Sequence, residues 1–250
     1  MFARRFHRKI SIGLLGYGNF GKLLLRNLAE DFSVQVFDPD PNAFTNGSVE
    51  FSSFAQVAKS DVVIIATPVN RLSDVVSQLA PLLKKGALVM DVGSVKVLPA
   101  KIMAENLPSH VDIICTHPLF GPQSAVRGLS GLKIALFSLR GTRLAVVTRY
   151  LRCLGLVPLL TTAESHDRDM AVAQGLTHLI AKGLSQLEPL PSVLTTRSFD
   201  LIKSAAEMVR DDSPKVFAAI QTQNPYAKAV RAKFLAILRE FDEGVNTFDT

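Results

Sequence analysis

The sequence predicts an α/β chain in which a doubly wound parallel sheet, residues 1–162, precedes an all-α segment, residues 163–250. Three observations carry that expectation. Short β-branched runs alternate with helix-length amphipathic stretches through the first part of the chain. A glycine-rich turn follows the first run and opens a helix, and strand-like runs stop near residue 163. Continuous apolar strands separated by helices are what a parallel sheet requires, because each strand is buried on both faces.

Taken in order, strands are expected at KISIGLL (9–15), VQVF (34–37), DVVIIAT (61–67), ALVMDV (87–92), VDIICT (111–116), LKIALF (132–137) and LVPLL (156–160). Helical patterns lie between several of them, at 19–30, 71–83, 98–106 and 142–154. ESHDRDMAVAQGLTHLIAKGLSQL (164–187) then reads as one long helix, ended by the proline-rich EPLPS (188–192). Three further helices are expected near 195–210, 213–223 and 225–242. A helical half this rich in Ala, Leu, Ile and Val is expected to complete its core with a second copy, so a homodimer through the helical domain follows.

Composition excludes several classes. With 48% apolar and 20% charged residues the chain has the profile of a compact globular protein. The net charge of +6 owes four charges to Arg4, Arg5, Arg8 and Lys9, and no basic stripe interleaved with aromatics follows. Nucleic acid is therefore not an expected partner. The basic start MFARRFHRK lacks an apolar h-region and is read as a frayed, solvated terminus, not a targeting segment. No apolar run reaches the roughly 18 residues that a membrane span needs. Cys115 and Cys153 form no disulfide or metal framework, and a reducing, cytoplasmic setting is expected.

The cofactor end lies in GLLGYGNFGKLLLRNL, where Gly16-x-Gly18-x-x-Gly21 follows the first strand and opens the first helix. Gly16 would permit the tight turn, Gly18 would let the backbone approach a pyrophosphate, and Gly21 would let helix and strand close together. Asn19 and Phe20 sit at the helix start, whose N–H groups bind phosphate charge. Asp38 ends the second strand 22 residues after Gly16, where a carboxylate hydrogen-bonds a ribose 2′-OH. No Arg or Lys occurs from 38 to 49 to attract a 2′-phosphate, so the expected cofactor is NAD, not NADP. A turn role is the alternative for Asp38 and Asp40.

Three polar clusters follow strand C-termini, the edge where open α/β sheets bind ligands. They are ATPVN (66–70), with Thr67 and Pro68 on the cofactor side; DVGSVK (91–96), with Ser94; and THPLFGP (116–122), with His117. Two prolines and a glycine hold the segment around His117 stiff. Singly, Ser94 would serve as an N-cap and Lys96 as a solvated charge; together, beside a nucleotide site, the clusters point to catalysis. No metal-ligand spacing is present.

GLLGYGNFG, DVGSVK, THPLFGP and HDRDMAVAQGLTHLIAKGL together resemble the prephenate/arogenate dehydrogenase family of tyrosine biosynthesis, in the family's order and across almost the whole chain. The resemblance implies a Rossmann-type domain followed by an all-α dimerisation domain, and NAD-dependent oxidative decarboxylation of a cyclohexadienol. His117, in the HPxFGP motif, would then accept the proton of the ring 4-OH. An ordinary imidazole with a pKa of about 6.5 is largely neutral near pH 7, as a base must be. Ser94, in the SVK motif, would bridge the substrate hydroxyl and the nicotinamide region. Gln174 and His178 match the QxLxH pattern as substrate contacts. They share a helix face with Met170 and Lys182 at i, i+4 spacing, and a satisfied core histidine is the alternative for His178. His166-Asp167 matches the HD pair, with an N-terminal capping role.

One departure stands out. The arginine that pairs with the ring carboxylate is expected about two positions before Arg210, nearer Met208; Arg210, Arg197 and Lys182 all remain open as that cation. At this length no appended regulatory or chorismate mutase segment is expected. Prephenate is the expected substrate, with arogenate, which differs only in its side chain, as the alternative. A β-hydroxyacid-type dehydrogenase using Lys182 is a second enzyme reading, and a non-catalytic dinucleotide-binding regulator is the reading from another class.

Overall fold

A computed structural model describes residues 10–40, 42, 51–187, 189–210 and 212–245. The basic start lies outside the described residues, as does Glu188 of the proline-rich break. The described chain divides into two compact units, within residues 1–163 and within 164–250.

In the first unit the elements run β1 (Ser11–Leu15), α1 (Asn19–Leu28), β2 (Ser33–Phe37), α2 (Phe54–Ala58), β3 (Val62–Ile65), α3 (Leu72–Leu79), β4 (Leu88–Asp91), α4 (Val97–Asn106), β5 (Asp112–Pro118), β6 (Lys133–Arg140), α5 (Leu144–Cys153) and β7 (Val157–Leu160). The strands form one sheet in the order β2-β1-β3-β4-β5-β6-β7. A parallel sheet was expected, and one pairing departs from it. β6 pairs antiparallel with β5. The link from 119 to 132 holds no helix, and an antiparallel partner needs no crossover.

Alternation along the strands splits the core into two faces. Leu15, Val63, Ile65, Val89, Ile113 and Cys115 pack with α2, α3 and α4 through Val57, Val76, Leu79, Ala100 and Met103. Ile12, Leu14, Val36, Ile64, Met90 and Ile114 pack with α1 and α5 through Leu25, Leu28, Val147 and Tyr150. The continuous apolar runs therefore mean two buried faces. At the outer edge β7 carries Pro158, tolerated because an edge strand need not donate on its free side. At the opposite end of the strands Asp61 accepts from Lys84 Nζ at 2.5 Å and from Ser11 N at 2.9 Å. Burial alone would raise its carboxyl, but these bonds outweigh burial and hold it below the usual carboxylate range.

The second unit is helical: α6 (Ala163–Leu184), α7 (Arg197–Arg210), α8 (Pro214–Ala218) and α9 (Ala227–Val245). The single helix expected at 213–223 is α8 followed by a π-helical turn, Ala219–Gln223. Gln221 in that turn donates from Nε2 to the Gly175 carbonyl and accepts from Arg231 Nη1, both at 2.7 Å. Among its described residues α7 buries none, and α9 buries Ala227.

Candidate functional site

Parallel pairing of β1, β3, β4 and β5 brings the segments after their C-terminal ends to one edge of the sheet. That edge carries the glycine loop, residues 66–70, residues 92–96 and His117. The strand order reverses at β1, so the glycine loop sits at the topological switch point.

The three glycines have different reasons. Gly16 has φ +107°, and a Cβ there would lie 2.6 Å from the Ala66 carbonyl oxygen, so β3's exit packs directly on the turn. A Cβ on Gly21 would meet the Gly16 carbonyl at 2.2 Å, so the helix closes onto the loop itself. A Cβ on Gly18 would meet nothing within 4 Å among the described residues. No packing among the described residues requires it to be bare, and the space beside it is open to a ligand's approach. Gly18 is also the N-cap of α1 and offers no side-chain cap, which leaves the first-turn amides from Asn19 onward without a capping side chain.

Asp38 accepts from the Tyr17 amide at 2.6 Å and from the Asp40 amide at 2.9 Å. One oxygen ties the carboxylate to the glycine loop, the other to its own turn, and each retains a lone pair for a hydroxyl donor. Thr67 Oγ1 is buried without a partner at the exit of β3, and Pro68 caps the short turn that follows. Phe20 packs on Phe120, ring centroids 6.1 Å apart, linking the glycine loop to the HPLFGP segment. Open space at Gly18, uncapped amides and an orphaned hydroxyl along one edge suit a phosphate-bearing cofactor.

His117 was expected just beyond a strand. The structure places it inside β5, opposite Ala135 of β6, with Pro118 opposite Ile134 and the Leu119 amide on the Lys133 carbonyl at 2.9 Å. The ladder, more than the prolines, fixes its backbone. His117 is 4% exposed. Ser94 is half-buried in the turn after β4. It is not a helix cap, because α4 begins at Val97 with Lys96 at the N-cap position.

Lys96, read from sequence as solvated when taken singly, is 1% exposed. Its Nζ donates to Asp91 Oδ2, and to the Thr116 carbonyl at 2.6 Å. The same Asp91 oxygen accepts from the Gly93 amide at 3.0 Å, and Thr116 Oγ1 donates to the Asp91 carbonyl at 2.5 Å. Burial, and then the Asp91 charge, push the neighbouring Cys115 thiol up, so it stays protonated and is no nucleophile. Among the described residues no group of His, Cys, Asp and Glu could hold a metal ion.

In the helical unit His178 is buried, with Nδ1 2.9 Å from the Gln174 carbonyl and Nε2 2.9 Å from Asp212 Oδ2. The Gln174 side-chain oxygen is buried without a partner. A cavity of about 510 Å³ is lined by His178, Lys182, Lys203, Arg210 and Asp212, among others. Of the cations left open by the sequence, Lys182 and Arg210 line it and Arg197 does not; Lys203 is an addition that helix spacing alone did not single out. His166 and Asp167 lie within α6, not at its cap. They are buried side by side, Nδ1 to Oδ1 2.8 Å, with Asn224 Nδ2 on the Asp167 carbonyl.

A model of the prephenate dehydrogenase nucleotide-binding domain matches residues 23–142. A probable arogenate/prephenate dehydrogenase of Methanocaldococcus jannaschii is 31% identical over 215 residues, 82% of this chain and 47% of that protein. A chloroplastic arogenate dehydrogenase of Arabidopsis thaliana is 28% identical over 232 residues, 87% of this chain and 65% of that one. The chain thus spans between about half and two thirds of the length of these two relatives. The crystal structure of the A. aeolicus prephenate dehydrogenase in complex with hydroxyphenyl propionate and NAD+ superposes with a TM-score of 0.76 at 21% identity, covering 98% of this chain and 93% of that one. At that identity the likeness establishes the shared fold.

Proposed function

The chain belongs to the prephenate/arogenate dehydrogenase family, and from that premise we propose that it is an NAD-dependent enzyme that oxidatively decarboxylates prephenate to 4-hydroxyphenylpyruvate. The observation that carries this reading is the shared edge: a bare Gly18 beside an uncapped helix start, with a buried histidine and a half-buried serine at the ends of the neighbouring strands.

Gly16, Gly18 and Gly21, the amides of Asn19 and Phe20, and Thr67 with Pro68 would hold the dinucleotide, and Asp38 its adenosine ribose. Bound NAD+ supplies the acceptor for the hydride that leaves ring C4. His117, as a neutral base, takes the proton of the 4-OH while the C4–O bond becomes a carbonyl. The resulting dienone loses its ring carboxylate as CO2, the electrons of the broken C–C bond aromatise the ring, and the imidazolium returns its proton to the phenolate oxygen. Ser94 would orient the hydroxyl. The basic groups of the helical unit, Lys182 and Arg210 with His178 and Gln174, are the proposed substrate contacts; two carboxylates on prephenate suit such a set.

Arogenate is the second reading, since relatives bearing both names match. Purified protein is mixed with NAD+ and NADH absorbance is followed after adding prephenate or arogenate in parallel. Turnover of prephenate at a kcat/KM at least about tenfold above that of arogenate is expected, a ratio one lost polar contact can set. The reverse ratio assigns the second reading, and silence with both sinks the enzyme reading.

A homodimer through the helical domain belongs to the same proposal. Leu201, Ile202 and Met208 on α7 and Leu238, Phe241 and Val245 on α9 are 45–68% exposed, apolar surface that a second copy would cover. Sedimentation equilibrium should give twice the mass of 27.2 kDa; a single-chain mass at micromolar concentration would refute the dimer. No helix among the described residues is long and apolar enough to cross a membrane, and a cytoplasmic site with a small-molecule substrate, apart from membrane and nucleic acid, completes the reading.

A further inference from the structure

From the network around Asp91 we infer that the buried Asp91–Lys96 pair is the positioning device that sets Ser94 and His117 relative to each other; this rests on the function proposed above. The sequence separates those two residues by a helix and most of a strand. The structure joins their backbones through one carboxylate and one ammonium. Asp91 Oδ2 receives the Gly93 amide at 3.0 Å, which pins the turn one residue before Ser94. Lys96 Nζ, bonded to that same oxygen, donates to the Thr116 carbonyl at 2.6 Å, which pins the peptide plane that leads into His117. A third link, Thr116 Oγ1 to the Asp91 carbonyl at 2.5 Å, closes the ring between β4 and β5.

Each bond acts on an atom adjacent to a reacting residue, never on the reacting side chain, so the pair does not do chemistry itself. Side-chain exposures of 1% for Lys96 and 3% for Asp91 place it out of water. A buried ion pair is poor at stabilising a fold compared with apolar residues of the same size, so a directional role better accounts for one here. Parallel pairing of β4 with β5 sets strand spacing but ends at Asp91↔Cys115. Beyond that register no β4 residue pairs with Thr116 or His117, and the side-chain bonds take over where the ladder stops.

The test compares wild type with the double variant Asp91→Asn/Lys96→Met and with Lys96→Arg. Removing both charges together avoids leaving one buried and unpaired. The double variant should bind NAD+ within about twofold of wild type and keep substrate KM within about threefold, while kcat falls about 100-fold, as displacement of a positioned group by about 1 Å does. Lys96→Arg, which keeps the charge and the donors, should recover about tenfold of that loss. The 15N resonances of the His117 ring, read with NAD+ bound, should shift in the double variant. A folded, NAD+-binding double variant with kcat within about threefold of wild type and an unmoved His117 spectrum overturns the inference, as does a loss of thermal stability alone. If the double variant does not fold, Lys96→Arg decides: unchanged kcat and unchanged His117 resonances overturn it. Inactivity of wild type toward both substrates would defeat the functional reading, yet the His117 resonances would still report whether the pair sets that ring.

Discussion

Replacing His117 with asparagine should lower turnover about 1000-fold, the middle of the range that general bases contribute to a proton-transfer step, at nearly constant affinity for NAD+. The substitution suits the site. Asparagine is close in size, hydrogen-bonds through its amide and sits in the β5–β6 ladder as histidine does, so the backbone around position 117 keeps its pairing with Ala135. It cannot take a proton from the ring hydroxyl. A thousandfold loss corresponds to about 4 kcal/mol of transition-state stabilisation, more than one neutral hydrogen bond contributes. Size alone therefore separates a lost base from a lost contact. The wild-type profile of kcat/KM against pH should rise as the imidazole loses its proton, because only the neutral ring can accept one, and that rise should vanish in the variant. A variant that keeps wild-type kcat would remove His117 from the chemistry. One that loses NAD+ affinity in parallel would make it a cofactor contact.

Much of this site was legible before any coordinates, and the reasons are local. GLLGYGNFG and THPLFGP declare themselves because glycine and proline act on their own backbone and need no distant partner to be read. Continuous runs such as VVII and IICT gave the strands and their two-sided burial. What stayed hidden depended on partners far along the chain. The Thr116 carbonyl that receives Lys96 lies 20 residues away, and nothing in GSVK says whether its lysine faces water or the core. The direction of β6 was equally opaque, since LKIALF reads the same either way; the only hint was the lack of a helical pattern between 118 and 132. Helix α2 did leave a signal: Ser53 and Gln56 form a capping box ahead of it. Five residues are too few for a helical period to show, so only the cap could have revealed it. The π-helical turn at 219–223 is hidden for a related reason, because apolar spacing does not distinguish one extra residue in a turn from a continuing helix.

Asp38→Asn should shift cofactor preference toward NADP+ by about 100-fold in the ratio of kcat/KM values, the product of two effects of about tenfold each. The first is a loss for NAD+. A carboxylate accepts from a ribose hydroxyl more strongly than an amide oxygen does, and charge-assisted bonds exceed neutral ones by roughly the 1.4 kcal/mol that a tenfold change requires. The second is a gain for NADP+, since a negative side chain at the end of β2 repels a 2′-phosphate and the amide does not. Asparagine is the informative substitution because its oxygen can still receive the Tyr17 amide, now 2.6 Å from Asp38 Oδ2, and so can keep the glycine loop tied to β2. An alanine there would cut that tie and mix loop disorder with the loss of charge. Stopped assays with each cofactor at saturating substrate measure the ratio. If wild type already prefers NADP+, the carboxylate is serving its turn, through Tyr17 and Asp40, and the ribose is read by other residues. If wild type prefers NAD+ and the variant keeps that preference undiminished, discrimination does not come from the charge at position 38, and the amides of the glycine loop carry binding without selecting between the two cofactors.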